Sequence, residues 1–68
     1  MKNFATKLKE VREQSGVSQK KIAEYLGITR SAYSNYEQGI REPSYDILIK
    51  LAKLYDVTTD YLLGMTDY

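Results

Sequence analysis

Sixty-eight residues make a single domain, 1–68, near the lower size at which a core holds a chain folded unaided. Hydrophobic residues at 43% and charged residues at 28% give an ordinary globular balance rather than a disordered one. Cysteine and histidine are both absent, which excludes disulfides, Ser–His and Cys–His nucleophile pairs and most zinc sites.

No apolar run approaches the ~20 residues of a membrane span, and the N-terminal MKNFATKLKE lacks the apolar segment of a signal peptide. These features point to a cytoplasmic, non-enzymatic helical domain with no metal, cofactor, membrane or small-molecule ligand. The net charge of +1 conceals an asymmetry. Residues 1–41 carry eight basic against four acidic side chains, and residues 42–68 carry two against five. One face is therefore basic and another is not, or the split is a fluctuation among solvated charges.

Taken in chain order, the first predicted helix, about 3–15, is capped by Asn3 and sets Phe4, Leu8 and Val11 on one stripe. The second, about 18–26, starts at Ser18 and carries Ile22, Ala23 and Leu26. The third begins after the cap Thr29. The fourth, about 44–55, follows Pro43 and the cap Ser44, with Ile47, Leu48, Leu51, Ala52 and Tyr55 turned inward. The fifth, about 59–64, is a short turn capped by Thr59 and carrying Leu62 and Leu63. The four glycines, at 16, 27, 39 and 64, each fall just after a helical stretch, where a C-cap needs a residue that tolerates positive φ. No stretch alternates as a strand does. The expected fold is all-α, a bundle of five short helices.

Only Gly27, Ile28 and Thr29 separate helices 2 and 3, a link so short that it forces the steep crossing of a helix-turn-helix unit, about 18–38. Ala23 then has to be small where the helices meet, Gly27 has to take the turn's backbone angles, and Tyr33 has to fill the angle between the helices. In "GITRSAYSNYEQG" (27–39), a ~100° step per residue from Arg30 puts Ser34 at ~40°, Gln38 at ~80°, Ser31 at ~100° and Asn35 at ~140°. Tyr33 and Tyr36 fall on the other side. Ser and Asn are poorer helix formers than the Glu, Lys and Ala of a solvated face. They are, with Arg, side chains that read base edges.

The segments "SQKKIAEYLGIT" (18–29), "YSNYEQGIREPS" (33–44), "LIKLAKLYDV" (48–57) and "DYLLG" (60–64) resemble, in order and spacing, the Cro/cI-type (XRE-family) helix-turn-helix domains of lambda-repressor-like proteins. Tyr33 departs from the Ile or Val more common there. The resemblance implies that helix 3 enters the major groove and helix 2 crosses the phosphate backbone. On that basis Arg30, Ser31 and Asn35 read bases, with Ser34 as a further candidate. Ser18, Gln19, Lys20, Gln38, Arg41 and Ser44 contact phosphates, with solvation the alternative for Lys20. Gln19 also braces helix 3, and Arg12 bridges to Glu37, which would satisfy a carboxylate at the edge of the polar face.

Leu62 and Leu63 are adjacent and cannot both face one small core. Tyr61, Leu63 and Met65, within helices 4–5 of about 44–65, therefore form an exposed apolar dimer seam, or else the tail Met65–Tyr68 folds over its own core. The family implies a double-stranded DNA-binding transcriptional regulator of bacterial or phage-derived origin acting on nucleoid DNA. The reading is a repressor binding a palindromic operator as a homodimer. The alternatives are the DNA-binding antitoxin of a toxin–antitoxin pair and a protein-interaction module.

Overall fold

The computed structural model describes residues 2–66. Its elements are α1 (Lys2–Ser15), α2 (Gln19–Leu26), α3 (Arg30–Glu37), α4 (Tyr45–Tyr55) and α5 (Thr59–Leu62). Among the described residues all regular structure is helical, as the periodicity requires.

Side-chain hydroxyls start four of these helices. Ser18, Thr29, Ser44 and Thr58 are extended N-cap residues, and each accepts a bond from the backbone N–H three residues on, at 3.0–3.3 Å. Two expected caps differ. Asn3 lies inside the first turn of α1, which begins at Lys2, and its Cβ is pressed against the Gly64 turn. Thr58 rather than Thr59 caps α5, which ends at Leu62. That register puts Val57 just outside the helix and Leu62 at its fourth position, the spacing of a hydrophobic staple. The pairs Val17 with Ile22 and Ile28 with Tyr33 stand at the same spacing around the α2 and α3 caps; Ile22, Tyr33 and Leu62 lie in the core, and Val17, Ile28 and Val57 pack against it.

At the C-termini, Gly16, Gly27, Gly39 and Gly64 all take positive φ. In the turn after α2, Gly27 has φ 73°, and Ile28 N–H reaches back to the Ala23 carbonyl at 3.0 Å, the closure of a Schellman-type cap. Helix α4 ends without glycine: Asp56 takes the left-handed conformation, with φ 54°. An aspartate tolerates this better than most side chains.

The core is built from Phe4, Leu8, Ile22, Ala23, Leu26, Tyr33, Leu48, Leu51, Ala52 and Leu62. All five helices contribute to it. Val11, Ile47, Tyr55 and Leu63 are half-buried at its margin. Tyr33, expected to fill the angle between α2 and α3, is fully buried, and Ala23 is 2% exposed. With its inner face held this way, α3 is left with a polar outer face.

Candidate nucleic-acid interface

The outer face of α3 and the start of α2 enclose an open concavity of about 410 Å³ lined by Gln19, Arg30, Ser31, Ser34, Asn35 and Gln38. These are all four expected base readers and two expected phosphate-contacting residues. Arg30, Ser31 and Gln38 are exposed, whereas Ser34 and Asn35 are half-buried. Within the concavity Gln38 Nε2 donates to Ser34 Oγ at 2.7 Å, a bond that the sequence pattern did not suggest. Ser18, Lys20, Arg41 and Ser44 are exposed and lie outside its lining.

Behind this face the helix is anchored twice. Tyr33 and Tyr36 meet edge to face, with ring centroids 6.2 Å apart and planes at 81°. Arg12 on α1 grips Glu37 at the end of α3 with both ends of its fork, Nε to Oε2 at 2.6 Å and Nη2 to Oε1 at 3.2 Å. Its remaining nitrogen, Nη1, donates to the Val17 carbonyl in the α1–α2 turn at 3.0 Å. Gln19 Nε2 adds a bond to Glu37 Oε1 at 3.1 Å. The expected bridge and the expected bracing role of Gln19 thus meet on one carboxylate, whose side chain is only 3% exposed. Burial pushes the Glu37 carboxyl up, but the bonds from Arg12 and Gln19, with the Arg12 charge, outweigh this and hold it below its ordinary value. The same Glu37 bond raises the Arg12 guanidinium.

Close by, the Tyr33 and Tyr55 hydroxyls are buried and make no hydrogen bond. Burial raises both above the ordinary phenol range, and for Tyr33 the nearby Glu37 adds to this.

Just past α5, Met65 is 70% exposed. Leu63 is half-buried against the core, and Lys7 Nζ sits 4.9 Å from the centroid of the Tyr61 ring. Only Met65 of the expected seam is therefore openly apolar. Residues 67–68 of the tail lie outside the described residues.

A family model described as helix-turn-helix matches residues 8–62, from the middle of α1 to the end of α5. The chain belongs to the helix-turn-helix family. Its helix-turn-helix unit is α2, the Gly27–Thr29 turn and α3, and the Cro/cI-type (XRE) resemblance read from the sequence is borne out. The HTH-type transcriptional regulator ImmR of Bacillus subtilis is 52% identical over 62 residues, covering 91% of this chain and 49% of ImmR. YqaE, an uncharacterized HTH-type transcriptional regulator of the same organism, is 48% identical over 60 residues, covering 88% and 52%. The HTH-type transcriptional regulator AnsR, also of Bacillus subtilis, is 45% identical over 58 residues, covering 85% and 50%. The chain spans about half the length of these curated relatives. Among its described residues no helix is long and apolar enough to cross a membrane.

Proposed function

We propose that this helix-turn-helix domain is a sequence-specific, double-stranded DNA-binding transcriptional regulator that acts as a repressor and binds a palindromic operator as a homodimer. The observation that carries the reading is the concavity on α3, where Arg30, Ser31 and Asn35 stand together on a face whose back is fixed by Tyr33 and Glu37. Side chains held in place before binding lose less freedom on meeting the base edges. In the proposed docking α3 lies in the major groove, and Ser18, Gln19, Lys20, Arg41 and Ser44 hold phosphates on either side. Gln19 retains an N–H beyond the one given to Glu37, so bracing and phosphate binding are compatible. Occupying an operator that overlaps a promoter excludes polymerase, and no chemistry is required.

Selection of bound duplexes from a random pool tests the reading. The expected product is an inverted repeat with half-sites about one DNA turn apart, ~34–36 Å centre to centre. Recovery of a single unrepeated half-site would remove the dimer from the proposal. Binding with no enriched sequence would remove the specificity.

A further inference from the structure

The bond between Gln38 Nε2 and Ser34 Oγ joins two lining residues of the concavity, and its consequence is directional. Gln38 is the residue just past the end of α3, where an unrestrained side chain would sweep the periphery that faces phosphates. The bond instead holds its carboxamide against Ser34, whose place in α3 is about one turn earlier, ~6 Å along the axis. That is toward the N-terminal end of α3, the end that contacts base edges in helix-turn-helix docking. By the ~100° step Gln38 also falls between Arg30 and Asn35 around the helix, and it lines the same concavity.

With one N–H held by Ser34 Oγ, the carboxamide keeps its second N–H and its Oε1 acceptor. Adenine presents an acceptor, N7, beside a donor, the N6 amino group, on its major-groove edge, and a glutamine amide complements that pair. Guanine offers two acceptors and each pyrimidine a single polar group, so neither satisfies both ends of the amide.

We infer that Gln38 reads an adenine and that Ser34 is the positioning residue that aims it. The inference rests on the DNA-binding reading above and departs from the family-based expectation that Gln38 touches phosphate and Ser34 touches a base. An i, i+4 pair of this kind on a merely solvated face would support the helix and nothing else.

The test is to repeat the random-pool selection with Gln38→Ala, Gln38→Glu, Ser34→Ala and Ser34→Thr, recording melting temperature alongside. Gln38→Ala is expected to lose the preference for adenine at one position of the half-site, a change of roughly 5- to 150-fold in discrimination. The other positions keep their preferences. Gln38→Glu is expected to shift that position toward cytosine, whose amino group suits a carboxylate acceptor. Ser34→Ala weakens the same position alone, by roughly 2- to 10-fold, because the freed amide must be ordered on binding. Ser34→Thr restores it by returning the hydroxyl. A pair that only supports the helix would move the melting temperature and leave the base profile unchanged. The inference is overturned if Gln38→Ala weakens every sequence equally or alters no preference. In either case specificity elsewhere leaves the DNA-binding reading standing. A wild-type chain that binds duplex without selecting any sequence removes base reading from α3 and this inference with it.

Discussion

Glu37 shows how much one side chain can carry at this size. It accepts three hydrogen bonds from two residues, Arg12 and Gln19, and so ties the end of α3 to α1 and to the first turn of α2. Its carboxyl lies below its ordinary value, so its contribution to stability is present above the unfolded value, near ~4.3, and is lost as pH falls through the folded one. Glu37→Gln is expected to destabilise the domain by about 1–3 kcal/mol at neutral pH, since Arg12 loses its ionic partner. The variant should also flatten the acid limb of the stability curve relative to wild type. Thermal melts from pH 7 to pH 3 check both, and parallel acid limbs would show that Glu37 is not the titrating group. The bridge was legible in the sequence only through the family resemblance, because Arg12 and Glu37 stand 25 residues apart. The Ser34–Gln38 bond was not legible, since Ser, Asn and Gln on one face pair in several ways and periodicity does not choose among them.

Among the elements, helix ends were the most readable feature, because a hydroxyl before a helix and a glycine after it act through local backbone geometry. Where two residues offer the same hydroxyl, local signals do not choose between them. Thr58 and Thr59 both offer a capping hydroxyl, and the choice falls to the residue that lets Val57 and Leu62 staple the turn. The Asp56 cap carries no sequence signal, because a left-handed conformation is rare outside glycine. The α1–α5 contact was also invisible in the sequence. A Cβ at Gly64 would stand 2.7 Å from Asn3 Cβ, whereas at Gly16 nothing lies within 4 Å. Both glycines have φ near 75°, so alanine at either incurs the left-handed penalty of about 1–2 kcal/mol. Gly64→Ala alone adds a collision between α1 and the end of α5. Chemical denaturation should therefore show a larger loss for Gly64→Ala than for Gly16→Ala. Equal losses would mean that the two helix ends separate without cost.

For the molecule as a whole, the division of charge along the chain gives the fold a polarity. The basic first 41 residues include α2 and α3, the elements proposed to meet DNA, and the acidic remainder includes α4 and α5. Phosphate neutralisation displaces counterions, so each cation in contact steepens the salt dependence of binding by about one in the log–log slope. Lys20→Ala and Arg41→Ala should each reduce the slope by about 1, measured by titrations at several salt concentrations. Lys50→Ala, on the exposed side of α4, should leave it unchanged. A slope insensitive to Lys20 and Arg41 would place the phosphates elsewhere.

The two buried, unpartnered hydroxyls of Tyr33 and Tyr55 give the domain an optical property. The chain has seven tyrosines and no tryptophan, so its near-ultraviolet signal is set mainly by phenols. In an alkaline titration burial raises Tyr33 and Tyr55 above the ordinary phenol range, so they lose their protons late. The late part of the tyrosinate absorbance therefore reports the integrity of the scaffold behind α3, without a label and without touching the reading face.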